Sequence, residues 1–408
     1  MTRRRAHIAM VGIPAVSHVL PSLEIIRELV ARGHRVTYAN DSAVADLISA
    51  TGAEFVPYRS SLPVDDNAWP EDPIGAMDAF LDDAVQALPQ LRAAYDDDRP
   101  DLYLYDIGGY VARVLAESQG RPIVQLSPTY VAWDGHKQEV EAQLWQLPGA
   151  EAFLAKGARW LAENGAATTD AADFLGRPAR VLATVPRAMQ PNADRVDTEV
   201  VTFVGPCFAG RAGESRWERP AGAEKVLLVS LGSSFTRRPE FYRQCLAAYG
   251  DLPGWHVVLQ IGKYTGPREL GKIPANVEVH SWVPQLAVLE QADAFVTHAG
   301  MGGSSEGLYT GVPMIAVPQA VDQFTNADRL VELGVARRID TAEATGETLL
   351  AALTELVADP EVARRLAQLR AQTRAEGGTR RAADLIEEEL SLAEAAGQAA
   401  NGAEAAAR

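Results

Sequence analysis

The chain has 408 residues, 47% hydrophobic and 23% charged, an ordinary globular composition with room for two or three domains. Its formal net charge of −16 argues against a nucleic-acid or anionic-membrane partner. No stretch approaches the ~20 apolar residues that span a bilayer. Cys207 and Cys245 make no disulfide framework, and the seven histidines are scattered without metal-ligand spacing.

The basic start Met1-Thr2-Arg3-Arg4-Arg5 precedes an apolar run too short for a signal-peptide core, so a soluble, cytoplasmic protein is expected. That run, 7–13, suits a buried parallel strand. A loop over 14–21 follows, with His18 in it, then a helix over 23–32 capped by Ser22 and ended by Gly33. A second strand over 35–39 completes a βαβ start that lacks the dinucleotide glycine fingerprint. Further strands are expected over 54–58, 101–105 (running into Asp106), 122–126, 180–184 and 200–203, and helices over 75–95 and 111–117. Asp96-Asp97-Asp98 follows a helix and precedes Arg99-Pro100, which reads as a solvated turn and not a metal motif. A helical pattern over 138–164 carries Trp145, Leu147, Phe153 and Trp160, either core or the wall of an apolar pocket. Residues 205–224 lose periodicity and are rich in Gly, Pro and charge. The domains expected are 1–210, a linker over 211–224, and 225–390 with its final helix packing back on the first, before a frayed tail over 391–408.

The pattern restarts with a strand over 225–231 and Gly232-Ser233-Ser234, a helix over 240–249, and strands over 255–261 and 277–282. Three short polar clusters come next: Trp282-Val283-Pro284-Gln285, then His298-Ala299-Gly300-Met301-Gly302-Gly303-Ser304-Ser305-Glu306-Gly307, then Pro318-Gln319-Ala320-Val321-Asp322-Gln323. Apolar strand runs 294–296 and 314–317 separate them. Loops at the carboxyl ends of parallel strands form the ligand crevice of an α/β sheet, so the clusters fall on one rim. Without side chains in the way, the backbone N–H groups of Gly302, Gly303 and Ser304 can approach an anion at a helix start. Trp282 offers a flat face to a base, Glu306 two acceptors to a ribose diol, and Asp322 and Gln323 partners for sugar hydroxyls. Each residue has an ordinary structural reading alone, Asp322 as an N-cap for example; their order and spacing together describe a nucleotide-sugar site. C-terminal helices over 347–358 and 360–390 follow, the second interrupted by Gly377-Gly378.

These motifs resemble the donor signature of the UDP-glycosyltransferases (family 1), and the likeness runs from about His7 to Leu390, nearest to bacterial enzymes that glucosylate macrolides and so inactivate them as antibiotics. The resemblance implies an α/β, GT-B fold of two facing Rossmann-like domains with an interdomain cleft. It implies His18 as general base and Asp106 as its partner, although the loop has Val16-Ser17-His18 where relatives often have His-Gly-His. It implies a UDP-sugar co-substrate, UDP-glucose first, with no cofactor and no metal needed for the chemistry. Trp282 and the Val283 backbone would take the base, Gln285 and Glu306 the ribose, and Ser233, His298, Gly300, Gly302, Gly303 and Ser304 the diphosphate. Asp322 and Gln323 would take the sugar, and Ser127, Thr129, Tyr130, Trp133 and Trp145 the acceptor. The partners expected are a macrolide-like small molecule and a nucleotide sugar, with a homodimer left open. A biosynthetic enzyme decorating a polyketide or flavonoid is the alternative within the class. A nucleotide-sugar epimerase would have no use for a large apolar pocket, a dehydrogenase would want a glycine fingerprint after its first strand, and a non-catalytic binding protein has no need of His18 with Asp106.

Overall fold

A computed structural model describes residues 5–64, 69–176, 178–208, 216–233 and 236–407. The expectations for Met1-Thr2-Arg3-Arg4, for 211–215 of the linker and for Ser234 lie outside the described residues. The chain forms two compact units, one of Met1–Thr184, Asn192–Cys207 and Gly378–Arg408, the other of Val185–Pro191 and Phe208–Gly377.

The first unit is built on a seven-stranded parallel sheet. Its strands are β1 (His7–Val11), β2 (Arg35–Asn40), β3 (Glu54–Pro57), β4 (Leu102–Asp106), β5 (Ile123–Ser127), β6 (Val181–Ala183) and β7 (Val201–Phe203), in the order β3-β2-β1-β4-β5-β6-β7. Strands buried on both faces need apolar residues at every position. Accordingly Ile8, Ala9, Met10 and Val11 are fully buried and paired with both Val36–Ala39 and Leu102–Tyr105. Order reverses between β1 and β4, the place where an open α/β sheet opens a crevice at its strand ends.

The helix after β1 is Val16–Ala31, seven residues earlier than the pattern predicts, because Pro21 does not break it. Pro21 removes one hydrogen bond near the exposed N-terminal end, where the lost partner is the carbonyl of exposed Ser17. Ser22 is therefore no cap. Its buried hydroxyl donates to the Val19 carbonyl and lies 3.0 Å from the Tyr38 hydroxyl. The helix over 73–95 does have a cap, Asp72, which accepts the Gly75 N–H at 2.7 Å.

The single helix expected over 138–164 is broken. A π-type turn at Lys137–Glu141 and a short turn at Ala142–Leu144 lead through Gly149, at φ 87°, into the helix Ala150–Glu163. Phe153 and Trp160, seven residues apart on one face, are core, while Leu147 is exposed. In the acidic turn, Asp98 pairs with Arg35 and Asp96 accepts from Gln119.

The last helix, Gly378–Ala407, continues past Leu390, where a frayed tail was expected, through alanine-rich sequence suited to helix. It belongs to the first unit. Ala382, Ala383, Ile386 and Leu390 enter its core, and Arg32, just past the first helix, reaches Asp384 and Glu387 at 2.6 and 2.7 Å.

The second unit holds a six-stranded parallel sheet of β8 (Lys225–Ser230), β9 (Trp255–Gln260), β10 (Val277–His280), β11 (Ala294–Thr297), β12 (Met314–Ala316) and β13 (Ala336–Arg338), in the order β10-β9-β8-β11-β12-β13. The reversal falls between β8 and β11. At the end of the helix Pro360–Ala375, Glu376 accepts the Arg187 N–H at 3.0 Å while its Oε2 is buried without a partner. No helix among the described residues is long and apolar enough to cross a membrane.

Candidate active site

In the first unit the reversal point carries a histidine–aspartate pair. Asp106 ends β4 and is 2% exposed, and His18, in the first turn of its helix, is 31% exposed. Nδ1 of His18 lies 3.0 Å from both carboxylate oxygens. A carboxylate only accepts, so Nδ1 carries the proton and Nε2 is the basic nitrogen. The strand-end loop is built to allow this. Gly108 donates its N–H to Asp106 Oδ1 at 2.8 Å, and a Cβ on Gly109 would stand 2.6 Å from the Val11 carbonyl oxygen. The loop before His18 is tied as well, since Tyr58 donates to the Gly12 carbonyl at 2.7 Å and Asn40 to that of Ile13 at 3.1 Å.

Beside the pair, the expected acceptor residues separate. Ser127 is buried at the end of β5, its carbonyl taking both the N–H and the hydroxyl of Thr184. Thr129 and Tyr130 are half-buried just beyond it. Trp133 is held in its own surface turn by Glu139 at 3.0 Å and packs edge-on against His136. Trp145 stacks on Phe153 at 6.2 Å, with its indole N–H buried and unpaired.

In the second unit the three polar clusters do end β10, β11 and β12. Trp282 is 58% exposed, while the neighbouring Val283 is buried. Gln285 donates to Glu306 at 2.6 Å, which brings together two residues 21 apart in sequence. Glu306 is 4% exposed, a carboxylate buried on the helix Met301–Thr310.

His298 is packed between two glycines. A Cβ on Gly232 would stand 2.6 Å from its Cε1, and one on Gly300 would collide with its Nε2. Gly232 also has φ 76°, whereas Gly300 has φ −60°, so only space demands glycine at 300. Burial pushes the imidazole down to about 4, and only the Ser230 backbone opposes this. It is thus neutral at pH 7, with no well-formed hydrogen bond at Nδ1. Ala299 takes φ 59°, a left-handed conformation steadied by the bond from its N–H to Thr297 Oγ1 at 3.1 Å.

The first N–H groups of the helix Met301–Thr310 have no helical partners, and no side chain caps them. Gly302 has open space where a Cβ would be. Gly303 lies close under Thr297. At Ser304 the N–H is donated to the Gly300 carbonyl at 2.9 Å, and the hydroxyl is buried without a partner. The available donors are therefore those before it.

Asp322 occupies the N-cap position of the helix Gln323–Glu332 without capping it, and accepts from Asn326 Nδ2 at 2.9 Å. Gln323 is buried, and its Oε1 takes the N–H groups of Gln319 and Ala320 at 2.8 and 3.1 Å. Only its amide N–H groups could then serve a ligand. Ser233 is exposed beside Gly232. Sequence reasoning missed Gln260, buried at the end of β9, which accepts the Val283 N–H at 3.0 Å. A polar residue closing an apolar strand was its one signal.

Two parallel-sheet Rossmann-like units, with a histidine–aspartate pair at one reversal and a glycine-lined helix start at the other, define a GT-B glycosyltransferase. The family model described as UDP-glucoronosyl and UDP-glucosyl transferase matches residues 184–374. Oleandomycin glycosyltransferase of Streptomyces antibioticus is 58% identical across 94% of this chain and 91% of that protein. NDP-glycosyltransferase YjiC of Bacillus licheniformis is 34% identical across 93% and 97%. Among solved structures, the glycotransferase of kitacinnamycin is 55% identical with a TM-score of 0.87, covering 95% of this chain and 99% of its own. The calicheamicin glycosyltransferase CalG4 is 32% identical with a TM-score of 0.84 over the same shares. The chain belongs to the UDP-glucoronosyl and UDP-glucosyl transferase family, and is a transferase.

Proposed function

We propose that the chain is a cytoplasmic, inverting hexosyltransferase that moves glucose from UDP to a hydroxyl of a macrolide or similarly large apolar natural product. The observation that carries the chemistry is the His18–Asp106 pair. A free hydroxyl is a poor nucleophile, and an imidazole nitrogen within reach can take its proton. Nε2 of His18 takes the acceptor proton as the acceptor oxygen bonds to the anomeric carbon. Asp106 holds the tautomer and stabilises the imidazolium. The bond from anomeric carbon to diphosphate oxygen breaks, its electron pair leaves with UDP, and one displacement inverts the centre.

For the donor, exposed Trp282 stacks on uracil and the Val283 backbone meets the base edge. Gln285 and Glu306, already paired, take the ribose diol. Neutral His298, Ser233 and the N–H groups of Gly302 and Gly303 hold the diphosphate, where the helix dipole favours the charge that develops on it. Asp322 and Gln323 lie toward the sugar. These groups stabilise the leaving group without a metal ion.

Glucose on UDP is favoured because a site furnished to bond hydroxyls discriminates against analogues lacking them. A deoxyribose would leave part of the Glu306 carboxylate unmet, a loss on the order of 1–3 kcal/mol. The macrolide rests on the 58% identity to oleandomycin glycosyltransferase. The 55% likeness to the glycotransferase of kitacinnamycin supports a biosynthetic role as the second reading.

Incubation with UDP-glucose and oleandomycin, followed by mass spectrometry, should show a gain of one hexose. Competition between UDP-glucose and a thymidine-linked dideoxysugar tests the donor, and preference for the dideoxysugar defeats that half of the reading.

A further inference from the structure

Gln260 ends β9 at 2% exposure, and its amide is bonded at both ends. Its Oε1 accepts the Val283 N–H at 3.0 Å. Its Nε2 donates to Ser230 Oγ and to the Gly232 carbonyl, each at 3.1 Å. The amide orientation follows from chemistry, because the Val283 N–H can only donate and the Gly232 carbonyl can only accept. The Gly232 N–H lies 3.3 Å from the same Ser230 Oγ.

One side chain therefore bridges two loops that are 50 residues apart in sequence. One loop carries Trp282 and Val283. The other carries Gly232, whose missing side chain makes room for His298. The bridge also commits the Val283 N–H, and no bond among the described residues engages the Val283 carbonyl. What Val283 offers a base edge is then an acceptor, which suits a ring N–H donor such as N3–H of uracil.

We infer that Gln260 is a positioning residue for the nucleotide: it fixes the base-reading loop after β10 to the diphosphate-side loop after β8, so that both ends of a uridine diphosphate meet prearranged partners. This rests on the donor reading proposed above. Gln260 touches no substrate, and it acts through Val283 and Gly232. Its removal should weaken nucleotide binding and leave the transfer step alone. A side chain needed for folding alone would lower stability with no such selectivity.

The test measures UDP affinity by calorimetry, together with kcat, donor KM and acceptor KM, for the wild type, Gln260→Met and Gln260→Glu. Methionine fills similar volume with no hydrogen bonds, and glutamate keeps an acceptor for the Val283 N–H. Gln260→Met is expected to weaken UDP binding and raise donor KM about tenfold, the scale of one buried hydrogen-bond bridge. Its kcat at saturating donor and its acceptor KM should stay within about threefold, and Gln260→Glu should recover part of the affinity. UDP affinity within twofold of wild type in Gln260→Met, with only a lower melting temperature, overturns the inference. If Gln260→Met does not fold, Ser230→Ala removes one acceptor of the same bridge and should weaken UDP binding about threefold; unchanged affinity there overturns it equally. A wild type that binds no UDP instead defeats the donor reading itself, a result distinct from bound UDP that ignores Gln260.

Discussion

Alanine at Gly300 and at Gly302 should separate stability from donor binding at the same helix start. At Gly300 the added methyl would collide with His298 Nε2 and lie 3.0 Å from Cε1, and the ring is itself walled by Gly232. Overpacking of that kind costs roughly 1–3 kcal/mol. At Gly302 the methyl would meet nothing within 4 Å, and φ is unstrained. Replacing a helical glycine with alanine there gains about 0.5–1 kcal/mol. For a unit of this size each kcal/mol moves the melting temperature by roughly 2–4 °C. Scanning calorimetry should therefore show Gly300→Ala melting lower and Gly302→Ala melting unchanged or slightly higher. Steady-state kinetics should show donor KM raised in both, because the open space at Gly302 is where the diphosphate is proposed to sit. Gly302→Ala with normal donor KM would refute the placement of the diphosphate, and Gly300→Ala with normal stability would refute the wedge at His298.

Burial depresses His298 from 6.5 to about 4, so the native state binds fewer protons than the unfolded chain between those values. That stability is fully present above pH 6.5 and lost as pH falls toward 4; His298→Gln should flatten this limb of a urea-unfolding series by about 3 kcal/mol, and an unchanged slope counts against the burial argument. Glu376 has the opposite sign, raised from 4.5 to about 7 by burial, so its stability is present below 4.5 and lost as pH rises through 7. Glu376→Gln should stabilise by about 1–3 kcal/mol at pH 8 and not at pH 4.5, and equal effects at both would contradict this. Transfer activity should persist in excess EDTA, and a loss reversed by magnesium would mean a cation holds the diphosphate.

The sheets were legible because parallel strands buried on both faces read as unbroken apolar runs, as at 7–13 and 225–231. The glycine-rich helix start was legible for a related reason: close approach to His298 leaves room for no side chain at 232 or 300. Other features left no local trace. Pro21 reads as a breaker, yet so near an exposed helix start it removes only one bond, and the true start at Val16 was hidden. Trp145, Phe153 and Trp160 share one helical pattern, but only the packing of the first unit sends Phe153 and Trp160 inward. The bond that withdraws the Ser304 N–H belongs to the helix's own geometry, and the Gln260 bridge joins loops distant in sequence. Neither is visible as a motif.

The proposed transfer from UDP-glucose depends on His18, oriented by Asp106, taking the acceptor proton. It is tested most directly by the turnover of His18→Ala, measured as hexose added to oleandomycin at saturating donor. In this variant kcat should fall at least ~100-fold, the scale of a lost general base, while donor KM changes little. Turnover within a few-fold of wild type would contradict it and assign the proton transfer to another residue.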